Sequence, residues 1–405
     1  MVHVHDVVIV GAGPGGSATA HFLSRRGLDV LLLDRADFPR DKTCGDGLTP
    51  RALRVLDQMG ILADVTRRAC AVDAYSVVAP NGRATSAPIS AVHGALVVKR
   101  LLLDDIIQRR ALASGAHFTS GVNVSRVEPT STGARVYTED GPAFEGRVAV
   151  IATGAAFGVL RRSGVLRRPP RTMLAARAYF EDLQTDVARS FQLRFDGVPT
   201  PGYGWVFPIK GRAANIGVGF LPRRGSGTAG QAFHRFIRST ALRPMLEGAR
   251  QDGPLKGYPI RVDFLESPTF ADRTLLVGEA AGLVNPLTGE GIDYALESGY
   301  IAAAHLLHTF EAGDFSRARI ADYGAQLHNR FDRIFRFSEW IRDWYCKPPL
   351  LNVLVPLANR RPELRQLLAS IVLGEREPRG YGPATMLARL LVYLVRTRPG
   401  SPAHD

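Results

Sequence analysis

Cysteine is scarce in this sequence: there are three residues, Cys44, Cys70 and Cys346, and none sits in a Cys-x-x-Cys pair. That excludes a disulfide framework and a cysteine zinc site, and it predicts no metal centre and a reducing, cytoplasmic compartment. Lysine is scarce within its charge class. Only five of the 51 basic residues are lysines (Lys42, Lys99, Lys210, Lys256, Lys347), against a formal net charge of +13. The arginines are scattered and carry no nucleic-acid signature, so no nucleic-acid partner is expected. The charge leaves two readings: a surface that meets acidic phospholipid at the inner face of a membrane, or a soluble protein that is simply basic. No apolar run approaches the ~18–20 residues of a membrane span. No basic stretch precedes the N-terminal apolar run, so no secretory signal is expected either. Repeats and low-complexity segments are absent as well. Ordinary proportions, 45% hydrophobic and 22% charged over 405 residues, predict a folded chain of two domains.

What the chain does contain is punctuated by glycine. His3–Val10 reads as a buried parallel strand and runs into Gly11-Ala12-Gly13-Pro14-Gly15-Gly16, then into a helical pattern that ends at Gly27. A second apolar strand, Asp29–Asp34, closes on an acid 18 residues after Gly16. This is a dinucleotide-binding β-α-β unit. Gly11 permits the turn, Gly13 admits a pyrophosphate, Gly16 lets helix and strand pack, and Asp34 meets ribose hydroxyls while repelling a 2′-phosphate. FAD or NAD fits such a site.

A second glycine-rich edge favours the flavin. The strand Arg273–Val277 leads into Gly278-Glu279, then Asn285-Pro286-Leu-Thr-Gly289-Glu290-Gly291, then a long helical run. Glu279 can accept from a ribityl chain, and a helix starting near Gly291 can stabilise negative charge on a reduced ring. Arg100 sits at a strand-to-helix junction where a cation can reach phosphate, and Val148–Ala152 with Thr153-Gly154 forms a further strand and turn. Tyr203, Trp205 and Phe207 alternate along a strand and so share one face. Two readings stand for that face: it roofs an apolar pocket, or it packs on the core.

Three segments together resemble the geranylgeranyl reductase family, FAD-dependent proteins with the para-hydroxybenzoate hydroxylase fold, nearest its menaquinone prenyl-chain branch. They are Lys42-Thr-Cys44-Gly45-Asp46-Gly47-Leu-Thr-Pro-Arg51, the hairpin Tyr203-Gly-Trp205-Val-Phe207-Pro208 with Asn215-x-Gly217-x-Gly219, and Gly278–Gly299. The resemblance implies an α/β architecture: a Rossmann-like FAD-binding domain (1–72, 97–165, 265–310), an inserted β-sheet substrate domain (73–96, 166–264) and a C-terminal helical region (311–405). It implies FAD contacts along Gly11, Ala12, Gly13, Pro14, Gly15 and Gly16, at Asp34, Arg35, Cys44, Gly45, Arg100 and Val124, and at Thr153 and Gly154. The flavin-ring loop adds Gly278, Glu279, Pro286, Gly289, Gly291 and Ile292. Cys44 and Tyr203 are then candidate acids, with Asp46 and Glu290 behind them, and Tyr203, Trp205 and Phe207 line the substrate pocket.

The implied activity is reduction of a C=C bond in the isoprenoid chain of a hydrophobic lipid, a quinone tail or a geranylgeranyl lipid. The electron donor is NADPH, NADH or another carrier, since no second Gly-x-Gly-x-x-Gly follows a strand. The alternatives are an oxygen-using monooxygenase (hydroxylase or epoxidase), a flavin-dependent halogenase, and a basic lipid- or nucleic-acid-binding protein with a vestigial flavin site. Two departures stand out: Gly278-Glu279 where the superfamily carries Gly-Asp, and Thr153-Gly154-Ala-Ala where hydroxylases carry Gly-Ala-Asp-Gly. Beyond residue 310, Phe331, Ile334, Phe335, Phe337, Ile341 and Trp344 predict an amphipathic helix ended by Pro348-Pro349. Met386–Val395 reads either as an interfacial helix making peripheral membrane contact or as a helix docked on the protein's own core.

Overall fold

A computed structural model describes residues 3–366, apart from 90–93, 140, 142, 185–186 and 345. The stretch Met386–Val395 lies outside the described residues. Four apolar segments of the sequence line up as one parallel sheet in the order Thr274–Leu276, Phe144–Ile151, Val4–Val10, Val30–Leu33, with His117–Thr119 at the edge. Their continuous apolar composition follows from burial on both faces. Val7, Val8 and Ile9 are fully buried, as are Leu32, Leu33, Val148 and Val150.

At Gly11 and Gly16 the turn after the first strand leaves no room for a side chain. Gly11 has φ +107°, and a Cβ on Gly16 would lie 1.9 Å from the Gly11 carbonyl oxygen. The helix Pro14–Ser24 therefore presses directly on the turn. It is crossed by the long helix Ile292–Ala312, and there Gly299 approaches the Gly15 carbonyl so closely that a Cβ would sit 2.6 Å away.

A second, seven-stranded sheet runs in the order Arg250–Arg261, Thr172–Glu181, Ala213–Phe220, Gly202–Ile209, Ser190–Arg194, Ala74–Val78, Ala84–Pro88. Strand alternation divides its residues. Val206, Ile216, Val218 and Phe180 point away from the first sheet and pack with Phe233 and Phe236 of the helix Ala229–Ile237. Tyr203, Trp205 and Phe207 take the opposite face, with Tyr75, Phe191 and Leu193 from neighbouring strands. A short three-stranded sheet (Gly47–Leu48, Ala95–Val97, Cys70–Val72) bridges the two layers.

The C-terminal part is helical. Arg317–Trp344 buries Phe331, Phe335 and Ile341, but Trp344 is 62% exposed. That helix stops ahead of Pro348-Pro349, as expected, and the two prolines also open the next one, Pro348–Arg360, because a proline ring is pre-set for the first helical turn, where no amide hydrogen is needed. This helix covers the Ala84–Pro88 edge strand through Asn359 Nδ2 to the Ala84 carbonyl, 2.8 Å, so that edge is not left open. Among the described residues no helix is long and apolar enough to cross a membrane.

The hairpin carries a sharp packing test. A Cβ on Gly217 would lie 2.2 Å from Trp205 Cζ2, whereas one on Gly219 would lie 3.7 Å from the same ring. Gly217→Ala is expected to lower stability by about 1–3 kcal/mol through overpacking, and Gly219→Ala to be nearly neutral; thermal unfolding of the two variants measures the contrast.

Candidate active site

The carboxyl ends of the parallel strands and the aromatic face of the second sheet enclose one cavity of about 760 Å³, near the upper end of the range for ligand sites. Two helices aim their amino ends into it. Gly13 caps Pro14–Ser24 and Gly291 caps Ile292–Ala312, and neither has a side-chain cap, so their terminal amides are open to a ligand's oxygens. Asp34 lines the cavity next to the first turn, its carboxylate positioned by the amides of Ala12 (2.8 Å) and Ala36 (3.0 Å).

The cation beside Gly13 is Arg40, whose Nη2 would lie 3.5 Å from a Cβ there. Arg100 begins the helix Arg100–Ala113 as expected, but Asp104 holds its Nε and Nη2 at 2.6 Å each and it faces Cys44. Arg40 reaches the same Asp104 at 2.9 Å. On the opposite wall Glu279 accepts from the Arg261 amide at 3.0 Å and lies 3.5 Å from Lys42 Nζ, against Gly154.

The loop Cys44–Gly47 lies directly under the aromatic face. A Cβ on Gly45 would meet Phe207 at 3.2 Å, and one on Gly47 would meet Phe191 at 3.0 Å, so the rings rest on bare backbone. Between these glycines Asp46 adopts φ +67°, a left-handed conformation that Asp tolerates better than most residues. Asn215 secures the loop. It donates to the Cys44 carbonyl (2.7 Å) and to Asp46 Oδ2 (2.9 Å), and it accepts from the Trp205 indole at 2.9 Å. Tyr179 also donates to Asp46 Oδ2, at 2.7 Å, whereas Asp46 Oδ1 is buried without a partner. The Tyr75 hydroxyl, in the aromatic wall, is likewise buried and unpartnered.

Comparison with known proteins identifies the arrangement. An FAD binding domain family matches residues 4–142. The menaquinone reductase of Mycobacterium tuberculosis (strain ATCC 25618 / H37Rv) is 34% identical over 393 residues, covering 91% of this chain and 90% of the relative. This chain belongs to the geranylgeranyl reductase family. A digeranylgeranylglycerophospholipid reductase of Methanopyrus kandleri is 30% identical, with 87% and 94% of the two chains covered. A geranylgeranyl bacteriochlorophyll reductase-like protein from Thermoplasma acidophilum has the same fold, with a TM-score of 0.78 at 22% identity over 92% of this chain and all of that one. A flavin-dependent brominase, with a TM-score of 0.76 at 19% identity over 98% of this chain and all of the brominase, shares the fold alone.

The protein is thus an FAD-dependent oxidoreductase of the geranylgeranyl reductase family, and its cavity fits the cofactor: two uncapped helix ends, Arg40 beside the glycine turn, and the Asp34 and Glu279 acceptors. Of the residues expected there, Cys44, Gly45, Asp46, Tyr203, Trp205, Phe207 and Glu290 all line the cavity. So do Gly11, Gly13, Pro14, Gly15, Asp34, Arg35, Arg100, Val124, Thr153, Gly154, Gly278, Glu279, Gly289, Gly291 and Ile292. Ala12, Gly16 and Pro286 do not line it. Ala12 serves through its amide on Asp34, Gly16 through packing, and Pro286 is buried within its loop. Arg40, Asp293 and Tyr75 were not singled out from sequence, nor was a role for Asn215. Asn215 lies inside the aromatic hairpin, and Asp293 lies two residues after Gly291, but nothing local marks Arg40 or Tyr75.

Electrostatics set the protonation of the cavity. Burial pushes the Asp46 carboxyl up to about 6, against the hydrogen bonds of Tyr179 and Asn215. Burial and the neighbouring Asp293 raise Glu290 well above the usual carboxylate range. Asp293 rises to about 6, moderated by the Thr49 hydroxyl and Arg51. Cys44 is pushed up by burial despite Arg100, so it is a thiol and no nucleophile at neutral pH. Tyr203 donates to the Thr288 carbonyl, which engages the proton that would make it an acid.

Arg40→Ala removes a charge-assisted contact from the glycine turn. FAD affinity is expected to fall about 10- to 100-fold, equivalent to about 1.4–2.7 kcal/mol, with the fold retained; flavin fluorescence during equilibrium dialysis measures it.

Proposed function

We propose that this enzyme reduces a carbon–carbon double bond in the prenyl chain of a hydrophobic lipid, a quinone tail or a geranylgeranyl lipid. The observation that carries the reading is the aromatic wall lying against the Cys44–Gly47 loop, with the buried Glu290 carboxyl, its pKa raised well above the usual range by burial and Asp293, in the same cavity. The names of the relatives, menaquinone reductase and digeranylgeranylglycerophospholipid reductase, agree with it.

An isolated alkene does not accept hydride alone, because nothing stabilises the carbanion, so a proton must arrive as the hydride does. FAD, once reduced, supplies the hydride equivalent. The protein supplies the rest. Trp205, Phe207, Phe191 and Leu193 hold an apolar chain and exclude water. The Glu290–Asp293 pair holds the proton. Thr49 donates to Asp293 Oδ2 and Arg51 stands beside it, so ionisation settles on Asp293 and the proton stays on Glu290. Arg51 is itself fixed by Glu297 and by the Tyr294 ring, 5.0 Å from its guanidinium carbon. Electrons for the next turnover come from a nicotinamide or another carrier that binds transiently.

The test is anaerobic. Enzyme reduced with dithionite and mixed with a polyprenyl quinone or geranylgeranyl lipid is expected to reoxidise and yield a product two hydrogens heavier. Reaction only after oxygen is admitted, giving peroxide or a product one oxygen heavier, would move the protein to the oxygen-using alternatives.

Because Glu290 must be protonated, the wild-type rate is expected to fall as pH rises through its raised pKa. Glu290→Gln is expected to lose about 10²–10⁴-fold in that rate while keeping FAD, and to lose the alkaline limb of the profile.

A further inference from the structure

Far from the cavity, three adjacent parallel strands bring together a second set of chemistry-bearing side chains. His3 and His5 alternate at the start of the first strand and share a face, Asp29 immediately precedes Val30–Leu33, and His117 opens His117–Thr119. These are the amino ends of the strands, opposite the carboxyl ends that carry the cofactor site. His3 Nε2 lies 2.7 Å from Asp29 Oδ2, His5 Nδ1 lies 3.0 Å from the same oxygen, and His117 Nε2 lies 3.9 Å from Asp29 Oδ1. The donor atoms of His3, His5 and Asp29 all fall within 4.8 Å of one another. The His5 side chain is only 14% exposed, which anchors the cluster, while His3 and His117 at 71% retain rotamer freedom.

We propose that His3, His5, Asp29 and His117 form a tetrahedral site for a zinc-type divalent cation. Three imidazoles and one carboxylate are a borderline N₃O donor set suited to zinc. Metal–ligand distances of about 2.0–2.2 Å place tetrahedral ligand atoms about 3.3 Å apart. Opening the His3 contact by about 0.6 Å and the His5 contact by about 0.3 Å meets that spacing, and His117, 3.9 Å from Asp29 Oδ1, reaches the fourth position by a change of rotamer. Asp6 holds the Asp29 amide at 3.0 Å and so orients the segment from behind. A cation there ties the three strands together through their side chains. It acts on stability and not on the flavin chemistry, because the site lies at the other end of the sheet.

Holoenzyme without a polyhistidine tag, treated with chelator and then freed of it, is titrated with Zn²⁺ by calorimetry. A parallel titration with Co²⁺ is followed through its absorption bands at wavelengths beyond the flavin's. The expected result is one saturable equivalent, four-coordinate Co²⁺ bands, a rise in melting temperature on Zn²⁺ addition, and an unchanged flavin spectrum. His3→Gln and His5→Gln are each expected to weaken binding at least tenfold, His117→Gln to weaken it less, and His308→Gln, an exposed histidine elsewhere, to leave it unchanged. Absence of saturable uptake, or uptake indifferent to the His3 and His5 substitutions, overturns the proposal. Because no step of the flavin reaction is read, failure here leaves the prenyl reductase reading standing.

Discussion

Asn215 is the joint between the two layers of this protein. Its side-chain amide holds the Trp205 indole, the Cys44 carbonyl and the Asp46 carboxylate at once. One residue therefore fixes the aromatic wall relative to the Cys44–Gly47 loop that lines the cavity. The glycines around it have complementary reasons: Gly217 leaves room for the Trp205 ring, and Gly45 and Gly47 let Phe207 and Phe191 settle on the loop. Losing Asn215 would leave a buried indole N–H and a buried carboxylate short of partners, at about 1–3 kcal/mol each.

Charge in the cavity is arranged with the same economy. Burial raises Asp46, Glu290 and Asp293, and the neighbours set how far. Burial and the adjacent Asp293 carry Glu290 well above the usual carboxylate range, whereas Asp293, with the Thr49 hydroxyl and Arg51 beside it, rises to about 6. Asp104 plays a matching role on the opposite wall, where it holds both Arg40 and Arg100. Only Arg40 is left turned toward the glycine loop.

Most of the cofactor half was legible because its signals are local. A strand, the Gly11–Gly16 turn, a helix and a strand ending at Asp34 fall within some thirty residues, and each has a physical requirement that a sequence displays. The hairpin was legible for the same reason. What sequence did not show is non-local. Arg40 meets Gly13 through a turn of the chain, Asn215 meets Asp46 across 169 positions, and His3 meets Asp29 across 26. Pro348-Pro349 was legible as a stop but not as a start: the preceding helix ends ahead of the pair, and the same prolines form the first turn of Pro348–Arg360, which packs on the second sheet.

The account rests on coupling between the aromatic wall and the Cys44–Gly47 loop, so the most direct measurement is anaerobic single-turnover reoxidation of Asn215→Leu by a polyprenyl quinone. The expected result is a protein that keeps its FAD, with reoxidation by substrate slowed about 10²-fold because loop and wall no longer hold their spacing. A wild-type rate in that variant would contradict the account.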